Sequence, residues 1–242
     1  TGTTTINAGT LQHGANNAIS TGAVTVNDGG TLNLAGFSDS VGAITINGGN
    51  TGGSITTGAG TLTTTGTITT SSGGGRNASI AGNLAMPAAG SITTTNAGEA
   101  LTVSAVVSGA GTSLGKAGAG TLILSGASTY TGATNITAGA LRAQNSNALG
   151  TGAGTVTVSN GAVLELDGTG LSIADPLNIN GTGVNAGGAI RNLSGSNSLT
   201  GGLTLAGASR INADAGTLTI TTSNITATNQ NLTVGGAGNL SL

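Results

Sequence analysis

An all-β fold, a right-handed parallel β-helix or solenoid with about 20–22 residues per coil, is what this sequence predicts over residues 1–242 as a single segment. The first observation is a recurring phrase, in which an aliphatic strand of period 2, an Asn/Gly turn and a second such strand follow one another. It occurs in AVTVNDGGTLNLAG (23–36), GAITINGGN (42–50), ATNITAGALRA (133–143), GTVTVSNGAVLELDG (154–168) and SRINADAGTLTI (209–220). The second is its spacing. Ile6, Val26 and Ile46 align, as do Ile136, Val158 and Ile179, and Ile190, Ile211 and Leu232, each step being about 20–22 residues. A near-constant period built of strand and turn marks a coil that stacks on its neighbours. The third is the core available. The chain has 47 Gly, no Cys or Trp, and one each of Phe, Tyr and Met, so the interior must be thin and aliphatic. Each inward aliphatic contributes about 1.5–3 kcal/mol on burial, and single coils depend on stacking for stability.

The elements follow in order. In 155–168, Val156, Val158, Leu164 and Leu166 alternate with Thr, Glu and Asp around the Ser159-Asn160-Gly161 turn, so the aliphatic set faces inward together with Val26, Ile46 and Ile136. Asn-Gly between strands also suits an antiparallel hairpin, but a hairpin meander does not account for a period shared by both ends of the chain. The pattern is weakest over 47–117, which holds TTTGTITTSSGGG (63–75) and AMPAAG (85–90), and longer turns are expected there. Pro87 cannot donate to a ladder and belongs at a corner. No helix of useful length is predicted. At ~4.8 Å per coil, roughly 11 coils make a rod of about 50–55 Å. Thr3-Thr4-Thr5-Ile6 and Asn239-Leu240-Ser241-Leu242 are both strand-like. The expected partner is therefore self, by head-to-tail stacking or by continuation of a longer parent chain.

Charge excludes several classes. Lys and Arg number 5 and Asp and Glu 7. The basic residues Arg76, Arg142, Arg191, Arg210 and Lys116 are far apart, which argues against nucleic-acid binding. No stretch of 18 apolar residues occurs, so no membrane-spanning helix is expected in this segment. The absence of Cys fits export through an oxidising compartment.

Residues 114–150, LGKAGAGTLILSGASTYTGATNITAGALRAQNSNALG, carry a more specific signal. Leu114, Lys116, Gly118, Gly120, Thr121, Leu122, Leu124, Gly126, Thr129-Tyr130-Thr131-Gly132, Thr134, Ile136, Gly139, Leu141 and Ala148-Leu149-Gly150 resemble the autotransporter-associated β-strand repeat of bacterial passenger regions. Ser128 departs from the family's usual Asn. GAGTLTTTG (58–66) reads as a degenerate second start three coils earlier. The resemblance implies a right-handed parallel β-helix displayed at a bacterial cell surface or outside the cell, and a structural, secretion-associated repeat. It also implies a membrane β-barrel in the parent, so a chain stopping at Leu242 is expected to be a fragment, a cleaved passenger or a subunit.

Catalytic chemistry is not expected. GTSLG (111–115) matches G-x-S-x-G, but no helix follows and the single His is distant. AGTSLGKA (110–117) lacks the first Gly and the final Ser/Thr of a phosphate loop. Glu165 and Asp167 share a strand face and are read as solvated; His13, with no ligand partner in sequence, is read as a turn or surface histidine. Tyr130 and Phe37 are read as core or corner packing. No catalytic, cofactor-binding or metal residue is assigned. The expected function is a structural, surface-exposed or extracellular solenoid. The alternative is an adhesin for a glycan or receptor, for which Arg191, Arg210 and 47–117 are the places to look. A minor one is ice binding through Thr63, Thr65, Thr67 and Thr69, with Thr93/Thr95 and Thr217/Thr219/Thr221.

Overall fold

A computed structural model describes residues 2–71, 78–152, 154–221 and 225–242. Arg76 and the 72–75 portion of the glycine-rich stretch lie outside them. The described strands pair in parallel throughout and build a solenoid of about 10 turns. Apart from one 3-10 turn, Val184–Ala186, no helix forms among the described residues. Gly and β-branched residues account for this: the former breaks helices, and the latter packs best on a pleated surface.

Three faces wind around one core. The first face stacks Thr4–Ile6, Val24–Val26, Ile44–Asn47, Ile68–Ser71, Ala89–Thr94, Ser113–Ala117, Thr134–Ile136, Val156–Val158 and Leu177–Gly181. It continues onto Leu203–Ala213. The second face runs beside it from Gly9–Gln12 through Thr121–Leu124, Ala140–Ala143, Val163–Asp167 and Ile190–Ser194. The third face is made near the start by Asp39–Val41 and Val106–Ser108 with the distal halves of Ser54–Thr64 and Ala78–Ala85. Near the end it is a separate four-stranded sheet of Ser172–Ile173, Asn197–Leu199, Thr217–Ile220 and Asn239–Ser241. Between them, residues 125–133, 144–152 and 154–155 form no strand on this face.

The predicted inward residues Val26, Ile46, Ile136, Val158, Leu164 and Leu166 are all buried. Coil length varies more than the sequence spacing suggested. The steps from Ile44 to Ile68, Ile92 and Lys116 are each longer than any step the aligned sequence offered. The step from Ile179 to Leu205 is longer still. The additional residues sit mainly in turns, one of which holds Pro87 between Ala78–Ala85 and Ala89–Thr94.

Two alignments need correction. Ile190 stacks on Ile211, but Ile211 then meets Val234, and Leu232 meets Ser209. The coil is longer there by two positions, and an even slip keeps the inward set inward, so the pattern alone does not reveal it. GAGTLTTTG at 58–66 is not an earlier copy of 118–126 either. Leu62 stacks on Leu84 on the third face, whereas Leu122 stacks on Leu101, and Leu101 in turn on Ala78, on the second. The same Gly-Ala-Gly-Thr phrase serves a different corner.

Corners demand glycine where coils touch. Gly118 has φ +78°, and a Cβ there would lie 2.1 Å from the Thr94 carbonyl oxygen; Gly139 has φ +64°, and its Cβ would lie 2.4 Å from the Gly118 and Gly120 oxygens. Any side chain would force the stacked backbones apart.

Candidate functional site

The outward residues of the second face differ from the rest of the rod. Arg142 stacks on Glu165, and Glu165 on Arg191, one coil at a time. Arg142 grips Glu165 with two nitrogens, Nε and Nη2, each 2.9 Å from Oε2. Its Nη1 lies 3.8 Å from Asp167. On the other side of Glu165, Arg191 Nη1 approaches Oε1 at 3.8 Å, while Arg191 Nε donates to Asp214. Arg210 donates from Nε to Asn212 Oδ1 at 2.8 Å in the following coil. Hydrogen bonds from Ser194 and Gln144, together with Arg142, hold the Asp167 carboxyl below the usual carboxylate range. Arg142, Glu165, Asp167, Arg191, Arg210 and Asp214 are thus six of the chain's twelve charged residues, gathered on one stripe.

This geometry corrects the expectation for the carboxylate pair. Glu165 is buried, 6% exposed, between two guanidinium groups, and only Asp167 remains partly open. Arg142, Glu165 and Arg191 are successive rungs of one column, and Asp214 lies two positions beyond Asn212, the rung that follows Arg191. Local spacing hides it, since the partners are separated in sequence by a whole coil. Of the residues named in advance for a binding patch, Arg191 lies in this stripe and Arg210 at its end.

A trough lies alongside. A hollow of about 470 Å³ is lined by Ala97, Gly98, Ala119, Thr121, Ala140, Val163, Glu165, Val184, Asn185, Gly187 and Arg191. A neighbouring hollow of about 340 Å³ shares Gly98 and Thr121 and reaches Ile123 and Arg142. Small side chains make the depression. The turn at 96–99 closes one end, and Glu99 fixes it: its buried carboxylate accepts from Asn96 N at 3.1 Å, Asn96 Nδ2 at 2.8 Å and Thr70 Oγ1 at 3.1 Å. The Val184–Ala186 turn closes the other end, with Asn185 and Ala186 at φ +51° and +56°. Left-handed backbone at a non-Gly residue costs on the order of 1 kcal/mol or more.

Other titratable side chains are internal. Lys116 occupies the inward column between Ile92 and Ile136 and is fully buried. Its ammonium donates to the carbonyl oxygens of Ala117 (2.9 Å), Gly118 (2.8 Å) and Ala138 (3.0 Å), so all three protons are used. Burial lowers its pKa to about 8. His13, read as a turn or surface residue, is instead buried with Nδ1 3.5 Å from Asp39 Oδ2. The inward position two after Leu11 brings it to Asp39 across the coil. Asp175 is 2% exposed, its Oδ1 has no hydrogen-bond partner in the protein, and burial raises its pKa to about 6.

Tyr130 is buried as a plug where the third face lacks strands, its hydroxyl 2.7 Å from Thr134 Oγ1. Phe37 is half-buried. The threonines named for an array do not share one face: Thr63 and Thr69 lie on strands of different faces, and only Thr69 and Thr93 stack. The column that does form is Thr5, Thr25, Thr45, Thr69 and Thr93, beside a ladder in which Asn47 Nδ2 donates to Asn27 and Asn27 Nδ2 to Asn7. No group of three or more His, Cys, Asp and Glu suited to a metal occurs among the described residues.

The passenger-associated-transport-repeat family matches residues 1–12 and 114–143. The repeat recognised in the sequence at 114–150 is thus similar to a passenger-associated repeat. The two matched segments contain the same phrase, TGTTTINAGTLQ at 1–12 and TGATNITAGALR at 131–142. Followed rung by rung, Thr4 leads through Val24, Ile44, Ile68, Ile92 and Lys116 to Ile136, two positions beyond the equivalent Thr134. The passenger repeat therefore survives an even slip of the ladder. Over 150 residues, 62% of the chain, it is 35% identical to the adhesin BmaC autotransporter of Brucella suis biovar 1 (strain 1330). The match spans 4% of that protein's length. No solved structure matches the chain.

Proposed function

We propose that this chain is a non-catalytic stretch of passenger rod, carried at the bacterial surface or outside the cell, that makes adhesive contact through its second face. The observation that carries this reading is the concentration of half the charge on one outward stripe of a rod otherwise surfaced by Thr, Ser, Asn and Gly. Similarity to an adhesin and to the passenger repeat supports both the location and the role. Mechanically, stacked parallel strands make a stiff spacer, since every coil is bonded to two neighbours. Adhesion needs polar side chains that reach the outside of the rod, and the outward Arg142–Glu165–Arg191 stripe meets that condition where the inward aliphatic columns do not.

The test is adhesion of beads coated with the chain to cultured host cells and to extracellular matrix. Beads bearing the wild-type chain should adhere, and the triple variant Arg142→Gln, Glu165→Gln, Arg191→Gln should adhere several-fold less while keeping its β-rich circular dichroism. Equal adhesion by both would move the contact off this face. Turnover of glycosidic or peptide substrates that survives rigorous purification would overturn the non-catalytic reading.

A further inference from the structure

We infer that the trough on the second face is a binding site for an uncharged, polyhydroxylated chain, an oligosaccharide of neutral sugars lying along the rod axis. This rests on the reading of that face as the contact surface and names what it contacts. Shape comes first. The trough crosses five successive coils, from Gly98 through Thr121, Ala140 and Val163 to Arg191. Four steps of ~4.8 Å give a length of ~19 Å. It is closed at one end by the Glu99-anchored turn and at the other by the left-handed Asn185–Ala186 turn. Such a shape admits an extended, linear ligand and excludes a broad protein surface.

The backbone decides against a peptide strand. Strand addition uses free N–H and C=O groups at a sheet edge. Here the trough floor is the face of a sheet, and each coil's backbone is already bonded to the coils before and after it. A ligand must be held by side chains.

Charge decides the rest. The groups at the trough come as opposite neighbours, Arg142 and Arg191 on either side of Glu165, with Asp167 and Asp214 beyond. In the trough a polyanion meets the edge of Glu165 and, beyond the lining, Asp167, while a polycation meets Arg191 and, in the neighbouring hollow, Arg142, so each is opposed along the stripe. A hydroxyl both donates and accepts, and so gains from a carboxylate and an adjacent guanidinium at once. Thr121 and the exposed amide of Asn185 add further donors and acceptors, while Ala140 and Val163 offer an aliphatic floor for the C–H face of a sugar ring. With no aromatic platform in the trough, single-site affinity is modest, and repeated display raises it through avidity.

The experiment uses the intact chain on an array of immobilised tetra- to hexasaccharides. Neutral glucose, galactose, mannose and N-acetylglucosamine oligomers are set against sulfated, sialylated and glucosamine oligomers. Binding to at least one neutral series is expected, changing less than about twofold between low and high salt because no ion pair forms with the ligand. Ala119→Trp, at an exposed rim position, and Ala140→Trp, in the floor, should each weaken that binding at least tenfold. Ala119→Trp should leave the melting temperature unchanged, so loss of the fold and loss of the site remain separable. Binding only to charged oligomers, with steep salt dependence, overturns the inference. So does neutral-sugar binding untouched by Ala119→Trp, or no binding by any series. Beads that adhere to cells while the chain ignores every neutral sugar refute this inference alone; failure of the beads refutes the broader reading.

Discussion

Replacing Asp175 by Asn should make the solenoid more resistant to unfolding near neutral pH and remove part of its pH dependence. Asp175 is 2% exposed, and its Oδ1 has no partner in the protein. Burial raises its pKa from 3.8 to about 6, and the acid in turn helps to raise that of the buried Tyr130. A folded-state pKa above the unfolded one means that the folded chain holds more protons between those values. The group's contribution to stability is therefore complete below pH 3.8 and is lost as the pH rises through about 6. At about 1.36 kcal/mol per pH unit, the gap amounts to ~3 kcal/mol at pH 7.5. Asn is isosteric and uncharged, so it lacks this penalty, although its amide adds donors that need partners. The discriminating quantity is consequently the change with pH. Between pH 4, where the unfolded group is already more than half ionised, and pH 7.5 the wild-type chain should lose ~2.5 kcal/mol relative to Asp175→Asn, or roughly 5–10 °C in melting temperature if the chain melts as one unit. Circular dichroism melts of both proteins at the two pH values measure it, and taking the difference cancels the other titrating groups. Parallel pH profiles for the two chains would refute the reasoning, because they would mean that the carboxylate reaches water or a cation when ionised.

Val158→Asp should destabilise its own and adjacent coils by about 4 kcal/mol or more, since it places a charge in an aliphatic column, whereas Thr157→Asp, pointing outward, should change little; urea unfolding of the two variants checks this. Burial lowers the Lys116 pKa to about 8, so the folded chain gives up this proton before the unfolded one; stability should rise between pH 8 and 10, a slope that Lys116→Met should abolish in chemical denaturation. Gly139→Ala should cost clearly more than Gly161→Ala in thermal melts. Both have positive φ, worth about 1 kcal/mol each, but only Gly139 would press a Cβ into neighbouring backbone oxygens.

The repeated shell of this protein is legible in its sequence because the rules that build it are local. Period 2 assigns Val158 to the core and Thr157 to the surface, and Asn or Gly marks the turns between strands. What escapes is anything set by the step from one coil to the next. The longer coils from Ile44 to Lys116 and the pairing of Ile211 with Val234 both preserve parity, so nothing in the alternation betrays them. The Arg142–Glu165–Arg191 stripe escapes for the same reason, because its members become neighbours only when the coil length is known. His13 and Asp39 are a harder case. They are more than a coil apart in sequence and on different faces, and only the cross-section of the coil brings them together.

The uneven placement of charge has a physical basis in the architecture. A solenoid coil is so thin that a residue faces either the aliphatic column or the outside, with little intermediate ground. Inward charges must then be fully satisfied or shift their ionisation, as Lys116 does with three carbonyl acceptors and Asp175 does by holding its proton to about pH 6. Outward charges are free of that constraint, yet on stacked coils ~4.8 Å apart a column of one sign repels itself at every step. Alternation of Arg142, Glu165 and Arg191 converts that repulsion into attraction along the rod axis. The same alternation leaves the trough electrically balanced while filling it with strong donors and acceptors. Stability of the stack and recognition of an uncharged ligand thus draw on one set of side chains. A variant that breaks the alternation, Glu165→Arg, should weaken both together, with three arginines then stacked in succession.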